Sequence, residues 1–199
     1  MEKFGVLTAI AAPYPKVNVD TDLIIRVERC AGTPRAELGR WAFEMVRYRP
    51  DGGEDPAFVF NRDPWRKARI LVAGENFGTG SSREMAVWAL AGMGIRCVIA
   101  PSFGDIFFGN CFQNGLLAIR LPGAEVDKLL ALASDPATAT FTVDLEKQAI
   151  NGSVAFDVSP RGKRMLLEGL DELGLTLAME PEIAAFQAAD RARRPWVYL

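Results

Sequence analysis

The chain of 199 residues contains no histidine. This absence excludes Ser-His-Asp triads, histidine-ligated zinc sites and imidazole acid–base catalysts. Cysteine is also scarce, because the chain has only Cys30, Cys97 and Cys111, which are widely separated. An odd number of thiols at such spacings fits neither a disulfide framework nor a zinc site. We therefore expect reduced cysteines and a cytoplasmic protein.

Long hydrophobic runs and a surplus of either charge are missing as well. The longest apolar run, Ala86 to Ile95, ends at Arg96 and is far shorter than the ~18 residues of a membrane span. Lys and Arg total 23 against 25 Asp and Glu, which gives a formal net charge of −2. Because no basic excess is available to neutralise phosphates, we expect neither a membrane nor a nucleic acid as partner.

The chain has the composition of an ordinary globular protein, with 49% hydrophobic and 24% charged residues. No repeat or flexible linker divides it, so we predict a single domain over residues 1–199. Proline and glycine cluster at about residues 50–67, which predicts a loop-rich insertion there. Before it, Thr33 and Pro34 predict the start of a helix of roughly four turns toward Tyr48.

Short apolar strands alternate with helices through the middle of the chain. The predicted strands are residues 70–73, 96–100, 116–119, 140–143 and 154–156, and the predicted helices are residues 82–93, residues 105–113, and two that begin after Pro122 and at Ser159-Pro160. Such alternation is typical of βαβ units whose parallel strands are covered by helices. The predicted class is therefore α/β with additional strands.

The densest chemical signal is the run GENFGTGSSRE at residues 74–84, between a predicted strand and a predicted helix. Gly78 and Gly80 allow backbone amides to turn toward an anion at the positive end of the helix dipole, and the guanidinium of Arg83 can bind a carboxylate with two donors.

Two interpretations of Ser81 remain open. Ser81 and Glu84 form a capping box, or Ser81 is a proton acceptor. A helix terminus contributes only about 0.3 to 2 kcal/mol, roughly one pKa unit, so Ser81 alone is a feeble base.

Two further segments are weaker signals. Residues 18–22 read NVDTD, which places two carboxylates on one face if the segment is an extended strand. They can orient an arginine or ligate a hard cation, although Asp and Asn are also common in turns. Residues 100–111 read APSFGDIFFGNC and predict a strand leading into an aromatic helix packed in the core. Cys97 and Cys111 are expected to be buried, inert thiols.

Taken together, the segments resemble the small subunits of 3-isopropylmalate dehydratase, within the aconitase superfamily. The resemblance rests on NVDTD at 18–22, GENFGTGSSRE at 74–84 and VIAPSFGDIF at 98–107, and it extends to NGLL at 114–117 and GLDELGLTL at 169–177. It implies a swivelling β/β/α domain like the aconitase C-terminal domain, with a mixed sheet flanked by helices. It also implies that this chain carries no cofactor, because the [4Fe–4S] cluster of the active site belongs to a separate large subunit.

The resemblance assigns roles to several residues. Ser81 would be the base that removes a proton from a carbon beside a carboxylate, Ser82 and Arg83 would bind the substrate, and Asp22 would orient Arg83 or the substrate. The large subunit's cluster would act as a Lewis acid on the departing hydroxyl. Dehydration and rehydration would then interconvert 2- and 3-isopropylmalate in leucine biosynthesis.

The sequence departs from the family pattern at three places. Thr79 and Met85 replace the cysteine and histidine of the usual loop, GCGSSREHA, and residues 26–30 read RVERC where the family has an apolar loop. We expect Arg26 and Arg29 to contact the variable group of the substrate and to favour a more polar acid, because an unpaired buried charge costs several kcal/mol. The alternatives are a paralogous subunit acting on citraconate, methylmalate or an aconitate-like acid, and a non-catalytic binding module in which Ser81 only caps a helix.

Overall fold

A computed structural model describes residues 1–198 of the chain, in which the strands form one mixed sheet. The strands are β1 (Val6–Tyr14), β2 (Ile70–Ala73), β3 (Cys97–Ala100), β4 (Leu117–Arg120), β5 (Thr140–Asp144), β6 (Ala149–Ile150) and β7 (Val154–Ala155). Their order across the sheet is β4-β3-β2-β1-β5-β6-β7. Neighbouring strands from β1 to β4 pair in parallel, whereas β5, β6 and β7 extend the other edge by antiparallel pairing.

Helices of very different length flank this sheet. The α-helices of the described residues are α1 (Thr21–Ile24), α2 (Val27–Cys30), α3 (Glu44–Arg47), α4 (Glu84–Gly92), α5 (Asp105–Gln113), α6 (Gly123–Ser134), α7 (Pro160–Glu168), α8 (Glu172–Leu177) and α9 (Glu180–Arg193). Short 3-10 helices lie at Arg35–Trp41, Val59–Asn61, Trp65–Lys67 and Pro195–Val197. Among residues 1–198, none of the helices combines the length and the apolarity that crossing a bilayer requires.

The parallel half of the sheet forms the centre of the core. Every residue of β2 and β3 is buried, as expected for parallel strands covered on both faces. Helix α6 packs on β1, β2 and β3, while α5 packs on β4 and on α4. The predicted α/β class with additional strands is therefore confirmed. The strand predicted at 70–73 and the helix predicted at 105–113 have the predicted bounds, and the other strands and helices of the middle third shift by one or two residues.

The helix predicted from Thr33 toward Tyr48 is wrong. The chain forms the 3-10 helix Arg35–Trp41, adopts a left-handed conformation at Phe43 (φ 57°), and only then makes the single turn of α3. The cause is a tertiary contact, in which the backbone of Gly39 lies directly against that of Gly92 in α4. Phe43 is itself buried, and its amide donates to the carbonyl of Ile24 at 2.8 Å.

Residues 50–67 contain turns and two 3-10 helices, and they contribute aromatic side chains to the core. Phe58 and Phe60 pack with Phe43, and Phe58 also packs with Tyr14 of β1. The indole of Trp65 donates to the carbonyl of Ala133 at 2.8 Å, which ties the segment to the end of α6.

Capping side chains mark the start of two helices near the C-terminus. Ser159 caps α7 by accepting from the amide of Gly162 at 3.1 Å, and Asp171 caps α8 by accepting from Gly174 at 2.7 Å. Most of α9 is exposed, but Asp190 is buried and accepts from Arg194 and Tyr198. These contacts fold the end of the described chain back onto α9.

The close approach of Gly39 to Gly92 leaves no room for a side chain, because a Cβ on Gly39 would overlap the carbonyl of Gly92. Gly39→Ala should therefore lower the free energy of unfolding by about 1 to 3 kcal/mol. Gly109→Ala is the matched control, since a Cβ there meets nothing within 4 Å and alanine favours a helix by about 1 kcal/mol over glycine. Urea denaturation of the two variants checks this, and equal stabilities would contradict the packing described here.

Candidate active site

The three segments in which the sequence indicates candidate functional residues meet where the parallel strands end. Residues 18–22 follow β1, residues 74–83 follow β2, and residues 101–104 follow β3. These strands are parallel neighbours, so their carboxyl ends lie at the same edge. Loops at the carboxyl ends of parallel strands are common ligand-binding sites in α/β proteins. The fold thus brings together residues that are about 60 and 80 positions apart in sequence.

Backbone hydrogen bonds fix the loop that carries Ser81. The amide of Gly78 donates to the carbonyl of Val19 at 2.7 Å, and the amide of Thr21 donates to the carbonyl of Thr79 at 2.9 Å. Gly78 has a positive φ of 73°, and a Cβ there would overlap the ring of Phe107. Glycine at this position therefore permits both the turn and the close packing of the loop.

Ser81 is half-buried and lies at the side of a surface depression of about 330 Å³. Its Oγ is 2.7 Å from Oγ1 of Thr21, and its amide donates to the same oxygen at 3.3 Å. Ser82, which is exposed, and Ile106 line the same depression. A small ligand therefore has access to the residues around the Ser81 hydroxyl.

The capping-box interpretation of Ser81 and Glu84 is wrong. Helix α4 begins at Glu84, its N-cap is Arg83, and no side chain makes the capping hydrogen bond. Ser81 lies two residues before the N-cap, and its hydroxyl is bonded to that of Thr21. The carboxylate of Glu84 instead accepts from Nδ2 of Asn114 at 2.7 Å.

Asp22 and Arg83 form an ion pair beside this loop. The neighbouring carboxylate of Asp22 raises the pKa of the Arg83 guanidinium, which remains cationic. Arg83 is the more buried partner, since its side chain is 22% exposed and that of Asp22 is 53% exposed. The arrangement fixes one side of the guanidinium and leaves further donors for a ligand carboxylate.

The expectation that residues 18–22 are an extended strand with both carboxylates on one face is wrong. Asp20 is the N-cap of the short helix α1, and its carboxylate accepts from the amide of Leu23 at 2.7 Å. Satisfying this orphan amide gives Asp20 a structural role. Asp22, one residue into α1, is the carboxylate that reaches Arg83.

Arg26 and Arg29 line a different cavity, of about 800 Å³, whose other walls include Trp41 and Met45. Nε of Arg29 donates to Glu44 at 2.8 Å, and its guanidinium stacks on Trp41 at 3.6 Å from the ring centre. Arg26 pairs with Glu28 at 2.9 Å and with Glu44 at 3.5 Å. Both charges are therefore compensated within the chain, which removes the physical reason to expect a more acidic substrate. Contact of Arg26 and Arg29 with the substrate stays a prediction.

Sequence reasoning did not identify two polar residues that hold the Ser81 loop and the helix after it. Thr21 holds Ser81, and Asn114 ties Glu84 to the indole of Trp88, which donates to Oδ1 of Asn114 at 2.8 Å. Both residues lie within segments that carry the family resemblance, NVDTD and NGLL. Their place in these segments could have marked them as candidates, but the sequence did not show which side chains they contact.

The donor set of this chain does not fit an iron–sulfur cluster. Within residues 1–198, no group of three or more His, Cys, Asp or Glu side chains is placed to hold a metal ion. Burial raises the pKa of the Cys97 and Cys111 thiols well above the ordinary value, which opposes the thiolate form that ligates iron. The thiol of Cys30 donates to the carbonyl of Arg26 at 3.5 Å.

Comparison with protein-family models defines the class of this fold and site. Residues 1–124 match the aconitase C-terminal domain, which includes all three segments at the sheet edge. Residues 173–198 match the C-terminal domain of the 3-isopropylmalate dehydratase small subunit, which includes α9. The chain therefore contains an aconitase C-terminal domain followed by a family-specific C-terminal segment.

Full-length relatives narrow the class to one family. The chain is 53% identical to the 3-isopropylmalate dehydratase small subunit of Paramagnetospirillum magneticum and 54% identical to that of Dinoroseobacter shibae, over 99% of this chain and 100% of each relative. The crystal structure of a 3-isopropylmalate dehydratase from Methanocaldococcus jannaschii superposes with a TM-score of 0.65 at 26% identity, covering 92% of this chain and 99% of that one. The chain belongs to the 3-isopropylmalate dehydratase small-subunit family, and the expected aconitase-like fold is confirmed.

The pairing of Glu44 with two arginines is testable through stability. The Glu44 side chain is 9% exposed, so Glu44→Ala would leave Arg26 and Arg29 without their shared partner. We expect a loss of about 1 to 2 kcal/mol, since the arginine side chains are themselves about 40% exposed and screened by solvent. Glu28→Ala, at a carboxylate that is 62% exposed, should cost less than about 0.5 kcal/mol. Equal losses in chemical denaturation would contradict the central role of Glu44.

Proposed function

We propose that this chain is the small subunit of a two-subunit [4Fe–4S] hydro-lyase. The enzyme interconverts 2-isopropylmalate and 3-isopropylmalate by dehydration and rehydration, as a cytoplasmic step of leucine biosynthesis. One observation carries the proposal. In a chain about half identical to named small subunits over 99% of its length, the Ser81 hydroxyl lies at an accessible depression, in the loop whose Arg83 pairs with Asp22 of α1.

The roles of the residues follow from their chemistry. Ser81 removes a proton from the substrate carbon beside a carboxylate, and the proton moves to its Oγ. Arg83 binds a substrate carboxylate with the donors that Asp22 does not use, and Ser82 adds a hydroxyl at the exposed side of the depression. Asp22 orients Arg83. The substrate class is therefore a small dicarboxylic hydroxy acid.

A large subunit completes the site in this proposal. The depression is open in this chain, and water screens the interactions that would stabilise a serine alkoxide. Closure by a partner excludes that water and strengthens every electrostatic contact inside. We place the [4Fe–4S] cluster on the large subunit, where it supplies Lewis-acid activation of the substrate hydroxyl. We assign neither a nucleic acid nor a membrane as a partner.

Two observations weaken the alternatives. The non-catalytic alternative gave Ser81 only the role of capping a helix, whereas Ser81 lies outside α4 and is bonded to Thr21. A preference for citraconate, methylmalate or an aconitate-like acid was expected from unpaired charge at Arg26 and Arg29, and those charges are paired. Isopropylmalate therefore remains the substrate that the proposal names.

Ser81→Ala tests the assignment of the base directly. In the complex reconstituted with its large subunit, we expect kcat for 2-isopropylmalate to fall by about 10²- to 10⁴-fold, because a general base contributes about that much. Ser153→Ala, at an exposed serine in the turn before β7, should retain wild-type kcat. Unchanged turnover in the Ser81 variant would refute the proposed function, and melting curves of both variants control for folding.

Arg83→Lys tests the carboxylate fork. A lysine keeps the charge but loses the planar pair of donors, so we expect KM for isopropylmalate to rise by about 10-fold. Arg69→Lys is the matched control, because Arg69 is exposed and directly precedes β2 at the opposite edge of the sheet. Steady-state kinetics of both complexes provide the measurement, and a KM equal to that of wild type in the Arg83 variant would contradict its role.

A further inference from the structure

Thr21 is a buried polar residue in direct contact with the serine of the candidate site. Its relative exposure is 1%. Its amide donates to the carbonyl of Thr79 at 2.9 Å, and its carbonyl accepts from the amide of Ile25 at 2.9 Å. The backbone of Thr21 is therefore fixed on both sides, and its hydroxyl is held against the Ser81 loop.

The other hydrogen-bonding partners of this pair favour Thr21 as the donor and Ser81 as the acceptor. A threonine hydroxyl has one donor and two acceptor positions, and the amide of Ser81 uses one acceptor position at 3.3 Å. Throughout residues 1–198, the hydrogen bonds give the Thr21 hydroxyl no other acceptor than Oγ of Ser81, at 2.7 Å. If Ser81 were the donor instead, the proton of Thr21 would be buried without a partner, which is costly.

We infer that Thr21 is a positioning residue that donates its hydroxyl proton to Ser81 Oγ and so strengthens Ser81 as a base. The inference rests on the proposed function, in which Ser81 accepts a proton from the substrate. With Thr21 as donor, the proton of Ser81 points away from Thr21 and passes to solvent water in the open depression before the partner closes the site. The resulting alkoxide then accepts a charge-assisted hydrogen bond, which is stronger than the neutral one. The proton of Thr21 stays on Thr21 throughout, and the proton from the substrate carbon goes to Ser81.

Four substitutions in the reconstituted two-subunit enzyme test this inference. Thr21→Val replaces the hydroxyl by a methyl group of similar size, and Thr21→Ser keeps the hydroxyl. Thr21→Ala, compared with Thr21→Ser, removes the hydroxyl from a side chain that already lacks the methyl group. We expect kcat to fall about 10- to 100-fold in the Val variant, and by a similar ratio from Ser to Ala, as when a donor to a developing oxyanion is removed. The fourth substitution, Ser81→Ala, is the reference for loss of the base.

Two further readouts separate positioning from a structural effect. KM should stay within about twofold of wild type, because Thr21 has no assigned contact with substrate. The rise of kcat with pH should move to higher pH in the Val variant, since loss of a hydrogen bond to the charged form raises the pKa of Ser81. Thr21→Ser should restore both kcat and the pH profile.

The outcomes distinguish the inference from the proposed function. If Ser81→Ala abolishes turnover while Thr21→Val keeps wild-type kcat and pH profile, the inference is overturned and the proposed function stands. If Ser81→Ala keeps turnover, the proposed function fails and the inference fails with it. Size-exclusion chromatography and melting curves check that each variant assembles with its partner. If the Val variant does not assemble, the comparison of Ala with Ser decides, and equal kcat in that pair overturns the inference.

Discussion

The pairing of residues 18–21 with residues 75–79 is the constraint on which the rest of the site depends. It joins the chain leaving β1 to the loop leaving β2 through hydrogen bonds from Asn18 to Glu75, from Gly78 to Val19 and from Thr21 to Thr79. The hydrogen bonds of helix α4 do not hold the glycine loop at Ser81, because that residue lies before the helix begins. The contacts with residues 18–21 therefore set the position of the Ser81 hydroxyl.

This constraint explains how weak local effects can add up at one oxygen. A helix terminus shifts the pKa of a hydroxyl by roughly one unit, and that alone leaves serine a poor base. The fold places a threonine donor against the hydroxyl and an arginine held by Asp22 two residues further along the loop. Each interaction is modest in an open, solvated depression, and each becomes stronger when water is excluded. The proposal that a large subunit closes the site rests on the same reasoning.

Local patterns in the sequence predicted most of the fold. Apolar runs bounded by glycine and proline located β2, β3 and α5, because fully buried parallel strands and an aromatic helix have distinct local signatures. The helix after Pro34 was mispredicted because the contact between Gly39 and Gly92 joins segments about 50 residues apart. Proline at the first helical position starts a helix but carries no information about such a contact.

The candidate site was predicted by residue type, whereas its contacts depend on the tertiary structure. The loop at 74–84 was identified because glycines, hydroxyls and an arginine converge between a strand and a helix. The capping box failed because the partner of Ser81 is Thr21, 60 residues earlier. The sequence also suggested that Arg29 has an unpaired charge. In the structure Arg29 pairs with Glu44, which lies 15 residues later in the chain. Spacing in the sequence cannot show which side chains meet across loops.

The most direct measurement is the crystal structure of the two-subunit complex with isopropylmalate bound. A base must lie close to the proton it removes, so Ser81 Oγ should be about 3 to 3.5 Å from a substrate carbon that carries a carboxylate. Arg83 should meet a substrate carboxylate in the same complex. A closed complex in which Ser81 Oγ lies beyond direct reach of that carbon, with another group of either subunit in its place, would contradict the account.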